Sequence, residues 1–325
     1  MKKRYKFALG AGLLLAGLYV NNASWIAGIP DGEMTLVSHR GVHQTFHRDG
    51  LNNETCTAEH IFKPRHEFLE NTIESFDAAI YAGAEQIELD IHPTTDGEFV
   101  VFHDWTLDCR TDGTGKTRDH DLAYLKALDI GYGYTSDYGR TFPFRGKFTG
   151  KMPTLNEVLT EFSDTHFIIN FKSRSKSEAA SLLDYLDAGE WSRLSVSGHV
   201  DPVSIVRDAH PKVRGMVRSE VKQCLKSYVL TGWSGFVPKS CYNMTVPVPA
   251  NYRKFFWGWP HRFEKRLNKV GSRSLLMGEY TGTGSTGIDS MADLEFVPKN
   301  YKGMVWTNTV EWTGPELNSR GLLGE

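Results

Sequence analysis

Four short clusters carry the residue types that move protons and hold charged oxygens. Ser38-His39-Arg40-Gly41 closes one apolar run, Glu88-Leu89-Asp90 lies inside a second, His103-Asp104 closes a third, and Ile169-Asn170-Phe171-Lys172 closes a fourth. Imidazoles exchange protons near neutral pH, so His39 and His103 are candidates for a general acid and a general base. Glu88 and Asp90 are two apart, which on a strand points both side chains to one face. Carboxylates held that close repel unless a cation sits between them, and hard Ca²⁺ or Mg²⁺ prefers such oxygen ligands. Arg40 and Lys172 carry the positive charge that phosphoryl oxygens need. Taken singly, each residue reads as an ion pair or a solvated strand end; taken together they supply what phosphodiester cleavage requires. That is charge neutralisation, removal of a proton from the nucleophile, and donation of one to the leaving alkoxide.

Positioning these groups requires the ends of several strands to converge. From Met34 onward, short β-branched or apolar runs alternate with segments of helical period, the pattern of a parallel sheet wrapped by helices. The predicted strands are 35–38, 86–91, 99–102, 167–171, 194–197, 214–217, 274–277 and 303–307. Eight is the number of a TIM (β/α)₈ barrel, whose strands converge at their carboxyl ends on one face. Asn71 with Glu74, and Thr154 with Glu157, read as helix starts with a reciprocal acid, and Gly83 closes the first of these helices. Thr95-Asp96-Gly97-Glu98 is too short for a crossover helix, so the third strand is antiparallel or the turn replaces a helix. Two long excursions, 42–69 and 131–150, read as rim elements or lids at the C-terminal face.

The 325 residues carry a formal net charge of -2, with no basic block beyond residue 6. This excludes an electrostatic footprint for nucleic acid and leaves a small or lipidic partner. Lys2, Lys3, Arg4 and Lys6 precede the apolar stretch Phe7 to Val20, so residues 1–30 read as an export signal. No clean Ala-x-Ala follows, which favours an uncleaved membrane anchor, with residues 31–325 as one domain on the periplasmic or extracellular side. In that oxidising compartment the four cysteines read as disulfides. Cys224 and Cys241 flank one Gly- and Pro-rich excursion, and Cys56 and Cys109 sit in loops at one barrel mouth, so the expected pairs are Cys56–Cys109 and Cys224–Cys241.

His39-Arg40-Gly41, Glu70-Asn71-Thr72 opening a helix, Glu88-Leu89-Asp90, the turn with Asp96-Gly97, and His103-Asp104 together resemble the glycerophosphodiester phosphodiesterase signature. Lys172, Pro153-Thr154-Leu155 and Val305-Trp306-Thr307-Asn308 are weaker matches downstream. The resemblance implies a TIM barrel enzyme that cleaves glycerophosphodiesters to glycerol 3-phosphate and an alcohol. The residues matching His39 and His103 would act as acid and base, and those matching Glu88 and Asp90 would hold the divalent metal. Arg40 and Lys172 would contact phosphate, Glu70 would border the metal, and Trp306 would stack on the alcohol. Asn71 and Thr72 would cap the helix. The nucleophile is water or the neighbouring glycerol hydroxyl.

One departure stands out. The family commonly has an acidic third ligand two residues before the lysine, where this chain has Asn170. Its carbonyl can still ligate Ca²⁺ or Mg²⁺, with Glu279 as a substitute. Two other readings follow: a lysophospholipase D-type enzyme on membrane lyso-lipids, favoured by the aromatic stretch Phe255-Phe256-Trp257-Gly258-Trp259-Pro260, and a retired barrel that binds phospho-ligands. His43, His47, His60 and His66 fit no zinc spacing and read as rim or surface residues.

Overall fold

A computed structural model describes residues 2–51, 55–282 and 285–323. Its strands are β1 (Thr35–His39), β2 (Gln86–Pro93), β3 (Phe99–Val101), β4 (His166–Phe171), β5 (Leu194–Gly198), β6 (Gly215–Val217), β7 (Thr245–Pro249), β8 (Arg273–Met277) and β9 (Met304–Thr307). The helices are α1 (Lys2–Asn22), α2 (Ile73–Tyr81), α3 (Leu122–Ala127), α4 (Leu155–Glu161), α5 (Lys176–Tyr185), α6 (Val200–Ala209), α7 (Arg218–Thr231), α8 (His261–Asn268), α9 (Met291–Leu294) and α10 (Val310–Ser319). Eight strands pair in the order β6-β5-β4-β2-β1-β9-β8-β7, and all of these ladders are parallel. A single parallel bridge, Gly215 to Met244, draws the two ends of the row together into a nearly closed barrel. The expected TIM-type architecture is therefore present.

Alternation along the strands sorts the side chains. Leu36, Ile87, Leu89, Ile91 and Ile169 point outward into the main core under the helices. Val37, Ile168, Leu275, Met304 and Trp306 fill the barrel interior. His39, Glu88 and Asp90 continue the inward series at the carboxyl ends of β1 and β2, so the pleat that buries the aliphatic residues also aims the polar ones at the mouth.

The eight-strand count was right, but one member differs. Residues 99–102 are not a barrel strand: β3 pairs antiparallel with β2 through the turn at Gly97 and bridges Thr154 on its other side. The strand that completes the barrel is β7, in parallel register with β8. Its Pro247 and Pro249 hide it from a propensity reading, since proline cannot donate to a ladder. As the end of the row, β7 has one side free of any ladder, and there two missing N–H groups cost little.

The caps also divide. Thr154 and Glu157 form the expected reciprocal box at α4. At α2 the cap is Thr72 with Ser75 rather than Asn71 with Glu74. Gly83, at φ +98°, closes α2, its N–H and that of Ala84 donating to the carbonyls of Ile80 and Ala79. Both disulfides form as expected, Cys56–Cys109 with Cα atoms 5.4 Å apart and Cys224–Cys241 with 4.7 Å. The two long excursions pack on each other in a satellite cluster of Ala58, Ile61, Leu69, Tyr134 and Phe144 beside the first disulfide.

Helix α1 leaves Phe7, Leu9, Leu13, Leu14 and Leu15 exposed and touches the barrel at its C-terminal end. There Asn21 and Asn22 donate to the Trp233 carbonyl, and the buried Arg266 donates to the Asn21 carbonyl and Asn22 Oδ1. The side chains of Lys2, Lys3 and Arg4 lie outside the described residues. No described helix is long and apolar enough to cross a membrane. The apolar stretch Phe7 to Val20 is only about 21 Å long at 1.5 Å per residue, against a hydrocarbon core of about 30 Å. A spanning anchor is thus not supported.

Replacing Cys224 and Cys241 by serine, which opens a separation of 17 residues, is expected to cost about 3 kcal/mol. Replacing Cys56 and Cys109, 53 residues apart, is expected to cost about 4 kcal/mol on the same loop-closure basis. Urea unfolding of the two variants beside the parent measures both, and three identical midpoints would contradict the expectation.

Candidate active site

Asp90 sits at the mouth, fully buried, and four neighbours contact its carboxylate. Oδ1 accepts from Asn170 Nδ2 at 2.8 Å and lies 3.3 Å from Lys172 Nζ. Oδ2 accepts from Asn71 Nδ2 at 3.2 Å and lies 3.2 Å from Arg40 Nε. Burial pushes this carboxyl upward, but Lys172 and Arg40 overcome that and hold it well below the usual carboxylate range. Asn71 is therefore a positioning group rather than a helix cap. It takes a left-handed backbone at φ +59°, which asparagine tolerates, and its Oδ1 also accepts from the Asp90 N–H.

Arg40 is held from both sides. Its Nη1 lies 3.1 Å from Glu70 Oε1, and the Arg40 carbonyl accepts from the Asn71 N–H at 3.0 Å. Gly41 follows at φ +78°, where a Cβ would fall 2.9 Å from the Ser75 carbonyl oxygen, so this tight approach to α2 admits only glycine.

The two histidines have different partners. His39 Nδ1 is 2.7 Å from Asn308 Oδ1. The Asn308 amide nitrogen donates to Asp289 Oδ2 and to the Ser285 carbonyl, both pure acceptors, so its oxygen must face His39. His39 Nδ1 then carries the proton and Nε2 keeps its lone pair, 3.8 Å from Glu88 Oε2. Burial, followed by the Arg40 charge, holds this imidazole well below its ordinary pKa. His103 Nδ1 instead donates to Asp104 Oδ1 at 2.6 Å. Burial with Arg40 and Lys172 lowers its pKa too, while Asp90 and Asp104 act in the opposite direction. Asp104 itself is held low, as Arg110 and His103 outweigh burial. Arg40 and Asp90 act electrostatically on both rings, and the Phe102 N–H donates to the Asp90 carbonyl, setting His103 beside that strand.

Glu88 is the other half of the carboxylate pair. Burial first, then the Asp90 charge, pushes its carboxyl well above the usual range, and its Oε2 has no hydrogen-bond partner among the described residues. A buried, unpartnered carboxylate oxygen beside a second carboxylate fits a hard cation. Asn170 fits in a weaker way: its nitrogen donates to Asp90, and its Oδ1 accepts from Ser197 Oγ at 3.1 Å. Glu279 is exposed and does not line the cleft, so it does not stand in for the missing acid.

Trp306 is buried in the cleft wall, its ring centroid 4.8 Å from that of His39, and its Nε1–H has no partner among the described residues. The cleft is about 860 Å³, and its lining combines His39, Arg40, Glu88, Asn170 and Trp306 with the apolar Phe46, Leu51, Val221, Leu225 and Met277. The aromatic stretch 255–260 is split, with Phe256 buried against Phe263 while Phe255 and Trp257 are exposed.

Sequence reasoning missed four contributors. Asn308 and Asp289 orient His39, and Arg110 ties Asp104 to Glu70. His43, expected at the rim, is buried with its ring 5.8 Å from that of His39, and burial lowers its pKa to about 4. His47 and His60 are exposed, as expected. Asn308 stood in a noted motif, but no spacing rule links it to His39 across 269 residues.

Residues 39–210 match the model of the glycerophosphoryl diester phosphodiesterase family. The chain is 40% identical over 107 residues to a glycerophosphodiester phosphodiesterase of Caldanaerobacter subterraneus, an alignment covering 33% of this chain and 40% of that protein. It is 41% identical over 108 residues to one from Bacillus subtilis, covering 32% of this chain and 36% of that protein. The matched segments thus span less than half of these relatives. Among solved structures, a phosphodiesterase of Oleispira antarctica in complex with the product sn-glycerol-3-phosphate superposes with a TM-score of 0.54 at 16% identity, covering 89% of this chain and 97% of that one. The glycerophosphodiester phosphodiesterase of Thermotoga maritima gives 0.52 at 19% identity, covering 88% and 100%. A barrel with this mouth, and a family match over more than half its length, make the chain a member of the glycerophosphoryl diester phosphodiesterase family.

Proposed function

We propose that the chain hydrolyses glycerophosphodiesters to glycerol 3-phosphate and an alcohol. The observation that carries this reading is the unequal pair of histidines set around Arg40 and Asp90. His39, backed by a neutral amide and with its pKa held low by burial, is suited to accept a proton at Nε2. His103, backed by the ionised Asp104, is suited to carry a proton and give it up. Arg40 and Lys172 bind the phosphate and draw charge from its oxygens. As the attacking oxygen, that of water or of the neighbouring glycerol hydroxyl, bonds to phosphorus, its proton passes to His39; where the glycerol hydroxyl attacks, water then opens the resulting cyclic phosphate to glycerol 3-phosphate. The P–O bond to the alcohol then breaks, its electron pair stays on the oxygen, and His103 supplies the proton. Trp306 forms the wall against which the alcohol packs, and Glu70 fixes Arg40.

Glu88 and Asp90, with the Asn170 side-chain oxygen, would hold a divalent Ca²⁺ or Mg²⁺ ion, which when bound draws negative charge off the phosphoryl oxygens. Residues 1–30 serve as the export segment and 31–325 as the catalytic domain on the outer side of the membrane. Two disulfides support that placement, since they persist in oxidising compartments.

A second reading, a lyso-lipid phosphodiesterase, is favoured by the apolar residues that line the cleft, which suit an acyl chain.

His39→Ala and His103→Ala are each expected to lower kcat by about two to four orders of magnitude on glycerophosphocholine, the scale of general acid and base catalysis. Release of glycerol 3-phosphate by folded variants, with and without chelator, measures this, and near-parental turnover would refute the roles. The base must be neutral to act. Since the His39 pKa is depressed in the folded protein, the acid limb of kcat/KM should lie below pH 6.5, the ordinary histidine value. On lysophosphatidylcholine, Leu225→Asp should cost roughly tenfold in kcat/KM, as expected for loss of one apolar contact surface, and little on glycerophosphocholine. Equal effects on both substrates would remove the lyso-lipid reading.

A further inference from the structure

Arg110 belongs to none of the motifs that point to catalysis, yet its guanidinium, 3% exposed, ties together the supports of both catalytic arms. Nε donates to Asp104 Oδ2 at 2.8 Å, and Asp104 Oδ1 accepts from His103. Nη1 lies 3.2 Å from Glu70 Oε2, whose other oxygen pairs with Arg40. Nη1 also donates to Tyr134 OH at 2.5 Å, and Nη2 to Thr57 Oγ1 at 2.7 Å. Each polar edge of the planar fork therefore has a partner, which is what fixes its plane.

The disulfide stands directly behind this fork. Thr57 follows Cys56 and Arg110 follows Cys109, so the covalent bond clamps together the two residues that meet at Nη2. The second excursion closes over the clamp: the Gly133 N–H donates to the Arg110 carbonyl at 3.2 Å and the Thr135 N–H to the Ala58 carbonyl at 3.0 Å. A Cβ at position 133 would fall 1.9 Å from the Cys109 carbonyl oxygen, so the packing has no slack there.

We propose that Arg110 is a positioning residue for proton donation by His103, acting through Asp104, and that the Cys56–Cys109 disulfide holds it in the required place. The inference rests on the reading of His103 as the proton donor. Without the fork, Asp104 can swing, and the imidazole it orients loses its aim at the leaving oxygen. Small misplacements of a catalytic group cost large factors in rate. The Cys224–Cys241 bond, which ties α7 to the segment before β7, has no hydrogen-bonded link to the fork among the described residues and provides the control.

The test compares the parent with Arg110→Met, His103→Ala, their double variant, and the serine pairs at Cys56/Cys109 and Cys224/Cys241. Substrates are glycerophosphocholine and a p-nitrophenyl phosphodiester, whose leaving group needs no proton. Arg110→Met should lower kcat on glycerophosphocholine about 100-fold, with KM changed less than about threefold, and lower it less than about tenfold on the p-nitrophenyl ester. In the His103→Ala background it should add no further loss, because both changes remove one function. Arg110→Lys, which keeps the charge without the fork, should show the same split and serves if the Met variant does not fold. Cys56/Cys109→Ser should lose about tenfold in kcat, while Cys224/Cys241→Ser stays within about twofold at a similar loss of stability. Losses that multiply in the double variant, or equal effects of the two serine pairs, would overturn the proposal while leaving the role of His103 intact. Full activity of His103→Ala would overturn the donor reading itself and the proposal with it.

Discussion

The buried Asp90 carboxylate is the constraint around which the mouth is organised. An unpaired charge at that depth would be expelled or neutralised, so the chain brings it four partners from three separate segments: Arg40 after β1, Asn71 before α2, and Asn170 with Lys172 at the end of β4. Those partners are the groups that a phosphate requires nearby. The same interactions that make Asp90 tolerable pre-place the cations, and after burial the Arg40 charge lowers both histidines. Glu88, two residues away, has no such compensation, and its carboxyl is pushed in the opposite direction. Two acids on one strand are thus driven apart in proton affinity by what surrounds them.

Around this centre the molecule separates rigidity from access. The hydrogen-bonded parallel strands hold His39, Glu88, Asp90 and Asn170 on a frame that cannot slip in register without turning each inward residue outward. The flanking excursions contain little regular structure, and they are braced instead by the satellite cluster, the Arg110 fork and a disulfide. The first excursion, α7 and β8 all contribute apolar residues to the cleft. One cleft therefore combines charged and apolar lining, which suits an ester with a polar and a less polar end.

The fold was legible wherever local pattern and tertiary role agree. Hydrophobic alternation located seven of the barrel strands, because outward residues such as Leu89 and Ile169 must bury against helices. It failed at β7, where prolines are tolerated only because that strand ends the row. Local cap chemistry located α4 correctly and misplaced the cap of α2 by one residue, since Asn71 spends its amide on Asp90. Both disulfides were foreseen from the loops that carry them, whereas the apolar N-terminal stretch, read as a spanning anchor, forms a helix too short in its apolar part to cross a bilayer.

By itself the sequence determined which residues could do the chemistry, because His39, Arg40, Glu88, Asp90, His103 and Lys172 lie at strand ends with spacings that a barrel must bring together. It also determined the direction of Glu88 and Asp90, since a strand has a strict period of two. Only the tertiary structure decided how these groups differ. That His39 leans on Asn308 and His103 on Asp104, that Asn170 turns its nitrogen to Asp90, and that Arg110 joins the two arms are outcomes of contacts between segments up to 269 residues apart. Electrostatic environment is a property of such contacts, and no local pattern encodes which distant partner a buried charge will meet.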